Sequence, residues 1–293
     1  MTSPTTFTLA ASSASPITVN RLGFGGMQLT GPGIWDMPDD IDNAINVLQS
    51  AVAAGVDFID TADSYGPHAN EILIERALHP YEGVTVATKG GLLRTGPGAW
   101  HPCGVPNYLR QCVEMSLRRL RVERIDLWQL HRVDSNVDAR AQFEVIAQMQ
   151  QEGKILHVGL SEVDVPTLQS AQEFMSIVSV QNLYNVLNRA SESVLNYCEE
   201  QGIGFIPWFP LGSRRLTDAD VADDRSGFQA IARIAGEHDI SSAQVALAWL
   251  LQRSPVMLPI PGTKSLAHLA DNMGAATVEL SAAAIAELDG LAG

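Results

Sequence analysis

Four side chains in this sequence could together pass a proton to a substrate oxygen: Asp60, Tyr65, Lys89 and His131. A tyrosine hydroxyl, with an ordinary pKa of about 10, donates poorly at neutral pH, and a nearby ammonium favours its phenolate. Lys89 offers that charge, and Asp60 a counter-ion that keeps the lysine protonated and oriented. His131 offers a hydrogen bond to align the oxygen. A proton donor beside an oxygen clamp, with no metal ligands and no activated nucleophile, suits carbonyl reduction. The hydride must then come from a cofactor, because no side chain can give one.

Taken singly, these residues say little. Asp60 before Thr61-Ala62 reads as a cap or turn residue, and Tyr65 beside Gly66 as a loop anchor. Their shared placement is what matters. The hydrophobic pattern predicts strands ending at Gln28, Asp60, Lys89, His131, Ser161, Asn182, Phe209 and Pro261, each followed sooner or later by a helical stretch. Eight such β/α units are the count that closes a (β/α)8 barrel, in which the carboxyl ends of successive strands converge on one mouth. Asp60, Tyr65, Lys89 and His131 fall at or just beyond three consecutive strand ends. A doubly wound open sheet is the alternative. Phe7–Leu9 and Ile17–Val19 predict a short hairpin ahead of the barrel, and extra helices follow the last strand, so residues 1–293 are expected to form a single domain. Gly23-Phe24-Gly25-Gly26 lacks the spacing of a dinucleotide fingerprint, and Gly31-Pro32-Gly33 stands where its helix would start. The Gly/Pro-rich stretch from Gly90 to Pro106 reads as a long functional loop, and Ser213–Asp224 as a polar loop over the domain.

Composition sets the class. With 46% apolar and 18% charged residues the chain is globular, and no apolar run reaches membrane-spanning length. A net charge of −14 disfavours nucleic acid and anionic membranes as partners. Cys103, Cys112 and Cys198 have no paired spacing and read as reduced thiols. No basic residue precedes Arg21, so no leader is expected, and a cytoplasmic protein is inferred. His68, His79, His101, His157 and His238 show no clustered ligand spacing, and no metal site is expected. The sequence leaves monomer or homo-oligomer open.

With these residues in place, the chain resembles the aldo-keto reductases over nearly its whole length. The resemblance lies in Phe58-Ile59-Asp60-Thr61-Ala62-Asp63-Ser64-Tyr65-Gly66, in Ala87-Thr88-Lys89 and in Asp126-Leu127-Trp128-Gln129-Leu130-His131-Arg132. It implies a (β/α)8 barrel and NADPH, ahead of NADH, as hydride donor to a small carbonyl substrate. It also implies Tyr65 as general acid, Lys89 and Asp60 tuning it, and His131 orienting the carbonyl. Gly159-Leu160-Ser161-Glu162 resembles the family's Gly-x-Ser-Asn, which with Gln181 holds the nicotinamide amide. Glu162 departs from that pattern, since a carboxylate accepts from the amide but cannot donate to it.

Trp208, in Pro207-Trp208-Phe209-Pro210-Leu211-Gly212, stands where the family usually stacks a tyrosine on the nicotinamide, and Pro210, Leu211 and Gly212 go with it as implied cofactor contacts. Pro261-Gly262-Thr263-Lys264-Ser265, with His268 and Asn272, resembles the adenosine-phosphate segment, Gly262, Thr263 and Lys264 being implied contacts and His268 replacing a common arginine. Trp35, Trp100 and Tyr184 are candidate walls of the substrate pocket, and Lys264 or Arg94 could serve an acidic substrate. Asn20 to Gly33, Tyr65-Gly66-Pro67-His68 and Ala248 to Pro255 are similar to the bacterial pyridoxal reductase/pyridoxine dehydrogenase group, which implies an aromatic aldehyde. Two other functions stay open: an NADPH-holding regulatory or redox-sensing subunit with little turnover, and a lyase in which Lys89 forms a Schiff base. Asp60 opposes the second, since it holds the lysine charged.

Overall fold

Side chains two apart on a strand face the same side, and this period sorts apolar from chemical residues. Phe58, Ala87 and Leu127 are fully buried in one apolar cluster, and the residues two further on are Asp60, Lys89 and Gln129. Ile59 between them packs in a separate cluster with Leu48, Leu73 and Ile74. The computed structural model describes residues 5–212 and 225–291. The loop expected over Ser213–Asp224 lies outside the described residues.

A hairpin of β1 (Thr6–Leu9) and β2 (Ile17–Asn20) comes first. It is followed by β3 (Phe24–Gly25), α1 (Ile41–Ala53), β4 (Phe58–Asp60), α2 (Ala69–Leu78) and β5 (Thr85–Gly90). A second hairpin, β6 (Leu92–Gly96) and β7 (Ala99–Pro102), leads into α3 (Pro106–Leu120), β8 (Ile125–Leu130) and α4 (Ala139–Gln151). Then come β9 (Ile155–Ser161), α5 (Val165–Gln172), β10 (Ile177–Leu183), α6 (Glu192–Gln201) and β11 (Gly204–Trp208). Helices α7 (Arg225–His238), α8 (Ser242–Arg253), α9 (Leu266–Gly274) and α10 (Ala282–Asp289) complete the described chain. Caps mark the helix starts: Asp40 accepts from Asn43 N–H, Asp164 from Thr167 N–H, and Ser241 and Gln244 form a reciprocal capping box.

Among the described residues the main sheet has seven parallel strands in the order β11-β10-β9-β8-β5-β4-β3. Leu9 and Val19 of the first hairpin pack against the inward residues Phe58, Ala87, Leu127 and Ile206, away from the strand ends that carry Asp60 and Lys89. Arg21, buried to 1% exposure, then ties the chain's start to the Leu251–Met257 stretch. Its guanidinium donates to Met257 O at 3.1 Å, to Leu251 O at 2.8 Å and to Ser254 O.

Three expectations change. The first strand is only Phe24–Gly25, because Gly26–Leu29 turns into a short 3-10 helix. A Cβ on Gly26 would meet Asn70 Oδ1 at 2.4 Å, so the turn needs a glycine there. The stretch from Gly90 to Pro106 is not an irregular loop, since most of it is the β6–β7 hairpin. Val256–Ile260 is not a strand. It meets β11 through a single parallel bridge, Phe205 to Met257, with Phe205 N–H donating to Val256 O at 2.9 Å and Leu258 N–H to Phe205 O at 2.8 Å. On its other side Gly23 N–H donates to Pro259 O at 3.0 Å. Pro259 and Pro261 have no N–H to continue a ladder.

Candidate active site

Lys89 is fully buried at the end of β5, and all three donors of its ammonium are used. Nζ donates to Asp60 Oδ1 at 2.6 Å, to Thr61 O at 2.7 Å and to Tyr65 Oη at 3.3 Å. The other carboxylate oxygen of Asp60 accepts from Gln181 Nε2 at 2.8 Å and Gln129 Nε2 at 3.2 Å. An ion pair this deep persists only when its remaining hydrogen-bonding groups are satisfied, and here β8, β10 and the loop after β4 supply the partners. The Tyr65 loop is held equally firmly: Asp63 N–H donates to Lys89 O at 3.0 Å and Asn70 N–H to Tyr65 O at 3.1 Å. Asn70 Nδ2 donates to Gly26 O at 2.8 Å. His131, just past β8, donates its backbone N–H to Gly90 O at 2.9 Å, and its Nδ1 lies 3.2 Å from Ser64 Oγ. Its ring packs edge-on to Tyr65, the centroids 5.8 Å apart.

Electrostatics assign the protons. Burial, then the charges of Lys89, Arg132 and Arg94, holds His131 well below the ordinary imidazole range, so it is neutral at pH 7. The tautomer in which Nδ1 accepts from Ser64 Oγ places the ring hydrogen on Nε2. Burial disfavours the Lys89 ammonium, but Asp60 and Tyr65 outweigh it and the pKa is raised. For Tyr65 the expected direction is reversed. Lys89 does favour the phenolate, but burial is the larger effect and the pKa is raised, so the phenol keeps its proton. The constellation is a protonated phenol on an ammonium, beside a neutral imidazole.

These groups open on a cavity of about 1060 Å³. Asp60, Tyr65, His131, Ser161, Gln181 and Trp208 line one part of it. Its wall continues through Pro210 and Leu211 to Gly262, Thr263, Lys264, His268 and Asn272. Trp100 is in the wall, edge-on to Tyr65 with the ring centroids 6.4 Å apart.

Other expected residues lie elsewhere or are already engaged. Glu162 is exposed, takes a left-handed backbone (φ 56°), and is not in the wall. Its carboxylate accepts from Leu183 N–H at 2.7 Å and from the Trp208 indole N–H at 2.5 Å, so it holds the tryptophan. Gly212 is a turn residue with φ 63°, outside the wall. Trp35 is half-buried and off the cavity, with the Arg94 guanidinium 5.5 Å from its ring. Tyr184 is fully buried, stacks on Trp249 and donates to Glu192 at 2.6 Å, so it is a core residue. Arg94 is spent on backbone carbonyls, while Lys264, in the cavity wall, gives one of its three donors to Thr30 O at 2.9 Å.

Arg132 was missed by sequence reasoning. It lines the cavity and donates from Nη1 to Ser161 Oγ at 3.0 Å. Its place directly after His131 was the available signal.

Asp63, inside the same loop, carries a prediction. Its Oδ1 has no hydrogen-bond partner among the described residues, and burial, then the charge of Glu71, pushes the carboxyl up to about 7. Between the ordinary 3.8 and that value the folded chain keeps a proton the unfolded chain has lost, so stability falls as pH rises through this window. Asp63→Asn removes the effect. From pH 5.5 to pH 8 the variant should gain about 2 kcal/mol relative to the parent, read from urea midpoints. A pH-independent difference would contradict it.

Comparison with known proteins now bears on this geometry. The aldo/keto reductase family matches residues 21–292. The chain belongs to that family. It is 40% identical to pyridoxine 4-dehydrogenase of Escherichia coli, covering 99% of both chains. It is 52% identical to an uncharacterized oxidoreductase of Schizosaccharomyces pombe, over 92% of this chain and 86% of that one. Among solved structures, a Bacillus halodurans aldo-keto reductase aligns with TM-score 0.80 at 25% identity, over 98% of this chain and 97% of that one. A Klebsiella pneumoniae aldo-keto reductase in complex with NADPH shares the fold at TM-score 0.78 and 23% identity, over 99% and 95%. Membership bears out the expected class, an NADP-dependent oxidoreductase of carbonyl and alcohol groups. No helix among the described residues is long and apolar enough to cross a membrane, and no group of His, Cys, Asp and Glu there could hold a metal ion.

Proposed function

We propose that this aldo/keto reductase reduces aldehydes, with aromatic aldehydes such as pyridoxal preferred, and runs reversibly as an alcohol dehydrogenase. The observation that carries this is the Tyr65 hydroxyl, 3.3 Å from the Lys89 ammonium and lining the cavity beside His131. The two ends of the cavity suit a dinucleotide. Ser161, Gln181 and Trp208 would hold a nicotinamide next to Tyr65, while Thr263, Lys264 and His268, around the start of α9, and Asn272, in its last turn, would hold a phosphorylated adenosine. Bound there, NADPH supplies the hydride.

The chain's own residues do the rest. His131, neutral, donates from Nε2 to the substrate oxygen and fixes its direction. Tyr65 donates its proton to that oxygen as negative charge develops, and the Lys89 ammonium stabilises the phenolate left behind. Asp60 keeps Lys89 charged, which also opposes a Schiff-base role for that lysine. The 40% identity to a pyridoxine dehydrogenase supports an aromatic aldehyde or alcohol as substrate. The segment Val256–Pro261, bonded to edge strand β11 and to Gly23 just before the opposite edge strand β3, supports a barrel closed as eight units in one domain. Three unpaired thiols, Cys103, Cys112 and Cys198, fit the cytoplasm.

NADPH and NADH oxidation measured against pyridoxal, 4-nitrobenzaldehyde and a simple ketone tests the proposal. Faster turnover with NADPH and with the two aromatic aldehydes is expected. Tight NADPH binding with no carbonyl reduced would instead favour a regulatory subunit.

A further inference from the structure

Arg94 makes a set of contacts that the proton-transfer chemistry does not use. Its guanidinium has five N–H donors, and each meets a different backbone carbonyl. Nε donates to Ala99 O at 2.9 Å, and Nη1 to Ile34 O and Ser64 O, each at 2.8 Å. Nη2 donates to Gly33 O at 3.0 Å and, more weakly, to Gly96 O at 3.4 Å. These carbonyls belong to three separate segments: the loop before α1, the Tyr65 loop, and the β6–β7 hairpin itself. The hairpin tip meets the first loop again through Gly98 N–H to Gly33 O at 3.0 Å. The same guanidinium lies 3.6 Å from the Trp100 ring centroid, and Trp100 is edge-on to Tyr65 and His131. A lysine has three donors around a point charge and no plane, so it could neither reach all five carbonyls nor stack on the indole.

We propose that Arg94 is a positioning residue for substrate selection: it locks the β6–β7 hairpin to the Tyr65 loop and backs Trp100 as a rigid flat wall that selects planar aromatic carbonyls. A flat apolar wall held in place gains area against a flat substrate without ordering cost at binding, and gains little against a small aliphatic one. The inference rests on the reductase function proposed above. A role of bulk stability alone would slow every substrate alike, whereas a wall acts through the aromatic substrate's KM.

The test uses the full chain with NADPH, comparing 4-nitrobenzaldehyde with propanal in Arg94→Lys, Trp100→Ala and the double variant. Arg94→Lys is expected to lower kcat/KM for the aromatic aldehyde about tenfold, mostly through KM, and for propanal less than about threefold. NADPH affinity, read by fluorescence quenching, should stay within about twofold. Trp100→Ala should lower the aromatic-to-propanal ratio similarly, and the double variant should lower it no further, because both changes remove one wall. An unchanged ratio in Arg94→Lys, or additive losses in the double variant, overturns the inference while leaving the reductase function standing. If Arg94→Lys does not fold, Trp100→Ala decides alone, and an aromatic preference that survives it is an overturning result. A parent chain that reduces neither aldehyde removes the reductase function and the inference with it.

Discussion

Tyr65→Phe is expected to lower kcat/KM for carbonyl reduction by about a thousandfold while NADPH still binds. The change deletes a single oxygen, and in the mechanism proposed above that oxygen is the proton donor. General acid catalysis by a positioned group contributes about 10²–10⁴-fold, and a thousandfold corresponds to about 4 kcal/mol of transition-state stabilisation. The ring that remains keeps its edge-on contacts with His131 and Trp100, so the pocket should hold its shape. One hydrogen bond to Lys89 is lost, but Asp60 and Thr61 O still accept from the ammonium. The loss should therefore fall on kcat rather than on cofactor affinity. Equal rates in parent and variant would show that the proton comes from elsewhere.

The second large effect separates activity from folding. Asp60→Ala strands the fully buried Lys89 ammonium, whose pair with Asp60 spans 2.6 Å, and truncating one member of a buried pair costs about 3–5 kcal/mol. It also leaves Gln129 and Gln181 without their shared acceptor. Reduction should be lost in Asp60→Ala for both reasons. Lys89→Met combined with Asp60→Asn removes both charges, and its urea midpoint should return most of the way to the parent's. Its activity should not return, because no cation remains to hold the phenolate. Recovery of turnover in that double variant would show that the pair serves stability alone.

Much of this site was legible in the sequence, for a physical reason. Asp60, Lys89 and His131 are polar residues at strand ends whose preceding partners, Phe58, Ala87 and Gln129, lie on the same two-residue period, so one mouth had to receive them. What sequence could not supply was burial. It counts the Lys89 charge near Tyr65, but not the desolvation that outweighs it, so the direction for the phenol came out opposite. Nor could it turn side chains. Gln181 lies at the cavity, as its motif implied, yet its amide nitrogen donates to Asp60 and leaves only the amide oxygen for a cofactor, and Glu162 points away to hold Trp208.

The β6–β7 hairpin was hidden by its Gly/Pro content, although Gly96-Pro97-Gly98 between two β-prone runs was a turn signal that could have revealed it. Arg94 was legible only as a loose cation, because its five carbonyls come from three segments brought together by the fold. Val256–Ile260 has a strand's apolar pattern, but Pro259 withholds a donor where a ladder would need one.

The most direct measurement is isotopic. The full chain is incubated with 4-nitrobenzaldehyde and NADPH carrying deuterium at the transferring position of C4, and the product alcohol is read by mass spectrometry, with Tyr65→Phe in parallel. Direct hydride transfer with Tyr65 as acid requires one deuterium on the carbinol carbon from the parent chain and almost no alcohol from the variant. Alcohol without deuterium, or labelled alcohol formed equally fast by Tyr65→Phe, would contradict it.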